Sequence, residues 1–297
     1  MPIVGWTNPY TNRRHLVQDY VGMAKVMPRE ILDIIARKDV EDKVHIGTNL
    51  TVTSGIGCPR RLVIERFLPC YPNPQRLWAP MMGTKWHEVL AQEMKGKPGW
   101  VVEVNGGVKE CEVSGWLFGF AMTGRMDARF EDDGVVLEIK DYKFSLSGAD
   151  KFVDENWVAK PEHIVQLNAL RLLLKQMGKV VSDNVGMVAW VVGGSWIPTR
   201  VPIKSEEEIG SIKVFGSKYT VHELFKYVGN SFARIDKGES PTSIAEGLPL
   251  FGKDMMKSRK GTSMCDSCAV KGDCMELGGW EEAAVIPFIK KERVVEL

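Results

Sequence analysis

Hydrophobic and polar positions follow two different periods along this chain, and each period predicts its own kind of element. Residues 124–143 alternate with period two on either side of a turn-forming Glu-Asp-Asp-Gly stretch, which predicts a β-hairpin. Residues 81–94, 161–178 and 221–237 have apolar positions at helical spacing. The continuous apolar run at 185–194 is typical of a central strand covered on both faces. The order of these elements predicts an α/β fold with a mixed central β-sheet flanked by helices.

The predicted hairpin brings acidic side chains together. Pairing Phe130 with Val135 around the turn places Asp127 directly opposite Glu138, and opposed side chains have Cβ atoms roughly 5 Å apart. Glu138 and Lys140 leave the same face of their strand because they are two residues apart. Two carboxylates this close repel each other unless a positive charge lies between them. The hairpin therefore predicts a site for a hard divalent cation such as Mg²⁺ or Mn²⁺, and a surface hairpin with ordinary charges is the alternative.

Two of the predicted helices add candidate side chains. His87 lies in the first turns of helix 81–94, and imidazole is the commonest neutral metal ligand in proteins. A helical histidine considered alone is more often structural. His163 and Gln166 share one face of helix 161–178, whose other residues are mainly apolar and are expected in the core.

The composition limits the class of protein. The chain has 297 residues, a formal net charge of +1 and 44% hydrophobic residues, which predicts a soluble globular protein with one large domain or two small ones. No apolar run approaches the ~20 residues that span a bilayer, and no secretory leader opens the chain, so we expect no membrane contact. The near-neutral charge gives no global attraction to nucleic acid, and any such binding must use local patches.

The cysteines predict a metal site near the C-terminus. Six cysteines are too few for a disulfide scaffold at this length, and three of them cluster at Cys265, Cys268 and Cys274. This pattern favours a reducing compartment and therefore a cytoplasmic protein. Three thiolates need a fourth ligand, for which Cys58 is the natural donor and Cys70 is the less favoured alternative. The spacing fits a four-cysteine iron–sulphur cluster or a structural zinc ion, and either would have a structural role.

Six motifs occur in the order of a known family. They are Thr-Ser-Gly-Ile-Gly-Cys-Pro-Arg-Arg with Cys58, Gly-x-x-x-His with His87, Gly-Arg-Met-Asp with Asp127, Glu-Ile-Lys at 138–140, His-x-x-Gln with Gln166, and the spacing Cys-x₂-Cys-x₅-Cys. In this order the chain resembles the RecB-like branch of the PD-(D/E)XK nucleases. Within that branch it is most similar to the CRISPR-associated exonuclease family with a four-cysteine iron–sulphur cluster, an arrangement that the AddB nuclease domain shares.

Two residues depart from the family pattern. Leu170 stands where the glutamine motif of the family ends in a tyrosine that is thought to help position DNA, so we expect substrate handling to differ. Met126 replaces the proline that names the superfamily, a change that is common in this branch and removes no ligand. Association with a CRISPR locus does not follow, because related proteins occur in viruses and as stand-alone nucleases.

The resemblance implies a restriction-endonuclease-like core that hydrolyses phosphodiester bonds. It assigns Mg²⁺ or Mn²⁺ to a set of four ligands, namely His87, Asp127, Glu138 and the carbonyl of Ile139. The metal would activate a bound water, and Lys140 would orient that water and stabilise developing negative charge. Gln166 would help to hold the substrate or the water. The same resemblance implies a [4Fe-4S] cluster, with structural zinc as the alternative, on four cysteines: Cys58, Cys265, Cys268 and Cys274.

The family expectation for the substrate is single-stranded DNA cut from the 5′ end, in repair, recombination or CRISPR-type DNA capture, with recombination or CRISPR adaptation proteins as partners. Positive charge at Arg60, Arg61 and Lys143 predicts the path of the DNA. The runner-up hypothesis is a nuclease-fold DNA-binding partner with weak or no cleavage. A third hypothesis is an iron–sulphur redox protein without a nuclease role.

Four segments are expected from these motifs. An N-terminal helical extension occupies residues 1–49 and the RecB-like nuclease core occupies 50–240. An iron–sulphur region at 241–280 is closed by Cys58, and residues 281–297 form a tail.

Overall fold

A mixed five-stranded sheet lies at the centre of the computed structural model, in the order β3-β6-β7-β8-β9. The structure describes residues 5–7, 13–16, 23, 27–29, 31–35, 48–102, 111–144, 159–192, 196–214, 217–249 and 268–277. Its strands are β1 (Gly5–Thr7), β2 (Arg14–Leu16), β3 (Trp100–Val102), β4 (Glu112–Leu117), β5 (Phe120–Arg125), β6 (Ala128–Asp132), β7 (Val135–Phe144), β8 (Val180–Val192) and β9 (Trp196–Arg200). Its labelled helices are α1 (Pro59–Phe67), α2 (Pro74–Met94), α3 (Pro161–Gln176), α4 (Glu206–Gly210), α5 (Val221–Asp236), α6 (Pro241–Gly247) and α7 (Lys271–Glu276). The predicted α/β architecture is confirmed.

Strand β7 is the centre of the sheet. It pairs antiparallel with β6 on one side and parallel with β8 on the other. Helix α3 connects β7 to β8, which is the crossover that a parallel pair requires. β9 closes the sheet as an edge strand and contains Pro198, a position where the missing amide hydrogen is tolerated.

The register of the β6–β7 hairpin differs from the predicted one. Asp132 pairs with Val135 across a two-residue turn, in which Asp133 and Gly134 have φ angles of 45° and 75°. Leu137 is then an extra residue on β7, because Phe130 pairs with Glu138 whereas Glu131 pairs with Val136. The predicted opposition of Asp127 and Glu138 is therefore wrong. Continuing the observed register by one residue beyond the Ala128–Lys140 pair places Asp127 beside Asp141.

Helices α2 and α3 cover opposite faces of the sheet. On one face, Ala91 of α2 packs with Val102, Ala128 and Tyr142, one from each of three adjacent strands. On the other face, Ile139 of β7 is fully buried in the main hydrophobic core together with buried apolar residues of α3. Each helix is needed because alternate side chains of β7 point to opposite faces, and both sets must be covered.

A two-stranded ribbon of β4 and β5 packs against α3. Gly124 of β5 allows this close approach, because a Cβ added there would lie 2.5 Å from Cδ2 of Leu170. Leu170 is only 1% exposed and belongs to the core. The position at which the family has a tyrosine therefore packs under the ribbon here, away from the polar groups described below.

The described parts of the N-terminal segment pack onto the rest of the fold. β1 and β2 pair antiparallel, and Trp6 of β1 is fully buried in the main hydrophobic core. Arg14 of β2 forms an ion pair of 2.8 Å with Asp273 of α7, so this segment also contacts the C-terminal region. The helical extension that was expected for residues 1–49 thus contains a β-ribbon as well as helix at residues 31–35. The proposed domain boundaries remain predictions, and the predicted tail lies outside the described residues.

Among the described residues, no helix combines the length and the apolarity that a membrane crossing requires.

Candidate active site

The candidate site lies where β7 extends beyond the start of β6. Lys140 is the last residue of β7 with a partner on β6, whereas the pairing with β8 continues to Phe144. The amide and carbonyl of Tyr142 consequently lack strand partners on the β6 side. Asp127 Oδ2 accepts a 2.6 Å hydrogen bond from the Tyr142 amide, and His87 Nε2 lies 2.7 Å from the Tyr142 carbonyl oxygen. Two predicted site residues thus meet at the end of this strand.

Helix α2 brings His87 to the strand. The Tyr142 ring packs among apolar residues of α2, and its hydroxyl donates a hydrogen bond to Met94 Sδ. This packing fixes α2 across the face of β7. His87 lies one turn before Ala91 and two turns before Met94, so its imidazole reaches the strand backbone. His87 Nδ1 lies 3.3 Å from Asp127 Oδ1. His87 and Asp127 were both predicted from the sequence, and the structure places them together.

A second group of side chains projects from the other face of the same strand segment. Asp141 and Lys143 are two residues apart and leave one face of β7, where Gln166 of α3 bridges them. Gln166 Nε2 donates to Asp141 Oδ1 over 3.0 Å, and Lys143 Nζ donates to Gln166 Oε1 over 2.9 Å. Lys143 Nζ also lies 2.7 Å from Asp141 Oδ2 as an ion pair. Asp141 Oδ2 is buried and makes no hydrogen bond, so its close polar neighbour is the Lys143 ammonium of this ion pair.

The two groups are close enough to act on each other electrically. Burial lowers the pKa of His87, the hydrogen bond to the Tyr142 carbonyl and the charge of Asp141 oppose this shift, and the charge of Lys143 adds to it. Burial is also the largest cause that raises the pKa of Tyr142 to about 12, with further contributions from the charges of Asp127 and Glu138. The imidazole, the two carboxylates and the ammonium therefore form one electrostatic unit around the Tyr142 backbone, which we call the β7 cluster: His87, Asp127, Asp141, Lys143 and Gln166.

Glu138 and Lys140 lie on the opposite face of β7 from Asp141 and Lys143. They pair with each other over 3.4 Å, and Lys140 Nζ lies 4.1 Å from the centre of the Trp100 ring. The predicted carbonyl donor, Ile139, is not the carbonyl beside His87, since that position belongs to Tyr142. The geometry thus favours Asp141, Tyr142 and Lys143 over Glu138, Ile139 and Lys140 as the acid, carbonyl and lysine of the site.

One sequence signal could have indicated this alternative. Asp-Tyr-Lys at 141–143 repeats the acid-x-lysine spacing of Glu-Ile-Lys at 138–140, three residues later. Both pairs satisfy the requirement that acid and lysine share a strand face. Only the register of the hairpin decides which pair lies beside Asp127. Lys143 was predicted as a DNA contact, and the structure places it in the β7 cluster, where it contacts Asp141 and Gln166.

The β7 cluster contains suitable donors for a divalent cation. Octahedral Mg²⁺ at about 2.1 Å from its ligands requires neighbouring donor atoms about 3 Å apart. His87 Nδ1 and Asp127 Oδ1, at 3.3 Å, are close to this spacing, whereas the Tyr142 carbonyl oxygen lies 2.7 Å from the other ring nitrogen, Nε2. The described residues contain no group of three or more His, Cys, Asp or Glu side chains placed to hold a metal ion. A cation here would start from His87 and Asp127, and Asp141 Oδ2, which is ion-paired with Lys143 over 2.7 Å, would have to turn toward it to complete the set.

The arginines predicted to bind DNA lie near the cysteines. Arg60 is only 1% exposed, so its predicted contact with DNA phosphates is wrong, since the guanidinium cannot reach solvent from this position. Arg61 is partly exposed and forms a 2.8 Å ion pair with Glu65 on the same helix. The charges of Glu65, Cys268 and Cys58 raise its pKa, while burial lowers it. Arg61 thus lies beside the predicted cysteine site.

Three of the four predicted cysteine ligands are described. Cys58 directly precedes α1, Cys268 lies shortly before α7, and these two helices are in contact. Burial raises the pKa of Cys268 to about 11; Arg61 opposes that rise and Cys58 contributes to it, which places Cys58 and Cys268 near each other. Cys274 is buried within the core against which both pack. Cys265 lies outside the described residues, so a four-cysteine site stays a prediction.

Comparisons with known proteins do not assign a family. No family model and no curated protein matches the chain. Among solved structures, SSO0001 superposes with a TM-score of 0.42 and 17% identity over 67% of this chain and 85% of its own. A candidate exonuclease from Eubacterium rectale gives a TM-score of 0.26 and 16% identity, over 57% of this chain and 55% of its own. Neither similarity bears on the chemistry of the site.

Proposed function

We propose that this protein is a metal-dependent nuclease that hydrolyses phosphodiester bonds in DNA. The observation that supports this most directly is the β7 cluster, in which an imidazole, two carboxylates and a lysine ammonium surround one stretch of strand backbone. Mixed oxygen and imidazole donors beside a half-buried lysine are the groups that phosphoryl-transfer chemistry needs. A purely structural ion pair would not require His87 and Asp127 at the same place.

A divalent cation would be held by His87, Asp127, Asp141 and the carbonyl of Tyr142. When bound, it would lower the pKa of a water molecule and offset negative charge on the phosphate. Lys143 would donate a hydrogen bond to the attacking water or to a phosphate oxygen, and so stabilise charge that develops as the bond breaks. Gln166 would keep the lysine and the acid in place, because its amide bridges them.

The finer features of the function follow from the family resemblance and are part of the proposal. The substrate is single-stranded DNA, cut from the 5′ end, in repair, recombination or CRISPR-type capture of DNA. The cation is Mg²⁺ or Mn²⁺. Cys58, Cys265, Cys268 and Cys274 hold a [4Fe-4S] cluster, for which the proximity of Cys58 and Cys268 is the structural support. The cluster is structural and joins the start of α1 to the C-terminal region.

End-labelled single- and double-stranded DNA, incubated with Mg²⁺, Mn²⁺ or EDTA, tests the proposal directly. We expect cleavage of single strands that EDTA abolishes. Lys143→Ala should lower the rate by at least about 100-fold, whereas the matched variant Lys140→Ala, on the opposite face, should stay within about fivefold of wild type. Equal loss in both variants would contradict the assignment of the lysine. Binding of DNA without cleavage by the wild type would instead favour the DNA-binding partner.

A further inference from the structure

His163 is a buried histidine beside the β7 cluster that the proposed mechanism does not use. It lies in the first turn of α3, three residues before Gln166, so both side chains share the helix face that meets β7. The residue is only 9% exposed. Its Nδ1 atom is buried and has no hydrogen-bond partner among the residues that the structure describes.

The charges of the β7 cluster act directly on this ring. Burial lowers the pKa of His163 to about 4; Lys143 and Lys160 contribute to the lowering, and Asp141 opposes it. The imidazole is therefore neutral near pH 7, and a neutral imidazole has one donor nitrogen and one acceptor nitrogen. An acceptor that is buried next to a lysine and lacks a partner is uncommon in a folded protein, since most buried polar atoms are hydrogen-bonded.

Lys143 has donor capacity to match this acceptor. An ammonium group has three N–H donors. In the described structure its contacts are Asp141 Oδ2 at 2.7 Å and Gln166 Oε1 at 2.9 Å. If Asp141 becomes a ligand of the cation, its hold on Lys143 weakens, because the carboxylate charge is then shared with the metal. The ammonium then needs another neutral acceptor on the α3 side to stay in position.

We propose that His163 is a positioning residue for Lys143, whose Nδ1 accepts a hydrogen bond from the Lys143 ammonium when a divalent cation occupies the β7 cluster. This inference rests on the proposed function, because it assumes that Asp141 is a metal ligand. Gln166 and His163 then hold the lysine from two successive positions on one helix face. The neutral state of the ring is essential, since a protonated imidazole would repel the ammonium.

Two substitutions separate this role from ordinary packing. His163→Phe fills the same space without an acceptor, and His163→Asn keeps an oxygen near the position of Nδ1. Relative to wild type, His163→Phe should show about tenfold lower kcat on single-stranded DNA with Mg²⁺, with KM within twofold and a melting temperature that is unchanged or higher. His163→Asn should recover most of the lost kcat. Wild-type kcat in His163→Phe, or no recovery in His163→Asn, would overturn the inference.

A measurement that is independent of activity separates this inference from the proposed function. Nitrogen-15 NMR of the histidine rings reports hydrogen bonding at Nδ1. Adding Mg²⁺ should shift the His163 Nδ1 resonance in the wild type, and the shift should be absent in Lys143→Met. Absence of the shift in the wild type, or the same shift in Lys143→Met, would refute the hydrogen bond whether or not DNA is cut. Failure of the wild type to cleave any DNA would instead refute the proposed function.

Discussion

Replacing Gln166 by methionine tests whether the amide between Asp141 and Lys143 organises the site. Methionine has nearly the length and volume of glutamine but lacks the amide. It removes the 3.0 Å hydrogen bond to Asp141 Oδ1 and the 2.9 Å hydrogen bond from Lys143 Nζ. The direct ion pair at 2.7 Å between Asp141 and Lys143 is left in place. We therefore expect a site that keeps its charges and loses part of their orientation.

The magnitude follows from the two lost contacts. A hydrogen bond to a charged group contributes about 1.5–3 kcal/mol. Gln166 is only half-buried, so water can replace part of the loss, and we expect about 2 kcal/mol in total. On the activation barrier this is a roughly 30-fold lower kcat. A similar loss of unfolding free energy would lower the melting temperature by about 3 °C in a protein of this size.

Gln176 supplies a matched control on the same helix. Its amide also makes two hydrogen bonds, to the backbone N–H and the carbonyl of Trp116 at 2.7 Å each, but it lies at the exposed end of α3 beside neutral groups. Single-turnover cleavage and thermal unfolding should be measured for Gln166→Met and Gln176→Met in parallel. Only Gln166→Met should lose kcat. Equal kcat in the wild type and Gln166→Met, or equal losses in the two variants, would refute the positioning role of this amide.

Three further variants test separate parts of the structure. Burial lowers the His163 pKa to about 4 from an unfolded value near 6.5, so between these pH values the unfolded chain binds a proton that the folded chain does not, and stability falls as the pH falls. In urea unfolding with EDTA, His163→Phe should remove up to about 3 kcal/mol of this pH dependence. A pH profile identical to that of the wild type would contradict this expectation. Arg60→Met should lower the unfolding free energy by about 2 kcal/mol without changing the salt dependence of DNA affinity. If the slope of log affinity against log salt concentration became smaller by about 0.7, Arg60 would again count as a phosphate contact. Asp127→Asn should keep an acceptor for the Tyr142 amide, lose at least about 100-fold in cleavage, and show weaker Mg²⁺ binding by calorimetry; unchanged binding would remove Asp127 from the metal site.

The sequence predicted the elements of the fold well because their signals are local. Helix α3, for example, has Pro161 in its first turn and a continuous set of apolar positions that becomes the buried face. The mixed sheet followed from the order of such elements. His87, Asp127 and Gln166 stay predictions as site residues, and the structure brings all three to one segment of β7.

The register of the hairpin could not be predicted in the same way. It depends on a two-residue turn at Asp133 and Gly134 and on the extra residue Leu137 in β7. Together these features move the partner of Asp127 by three positions, from Glu138 to Asp141. Bulges are set by the packing of the whole sheet and have weak sequence signals. Alternation alone therefore predicts which residues of β7 share a face, but it does not predict which residues of β6 they pair with.

The same alternation explains why β7 carries two acid–lysine pairs with different surroundings. Glu138 and Lys140 lie where β7 is paired on both sides, and the lysine is held against an aromatic ring. Asp141 and Lys143 lie where β6 has ended, so the backbone between them keeps polar groups that are free to bind His87 and Asp127. Acid-x-lysine spacing supplies the functional groups in both cases. The proposed cation site therefore belongs to the pair at the open end of the sheet, because there the end of β6 leaves the Tyr142 backbone to His87 and Asp127.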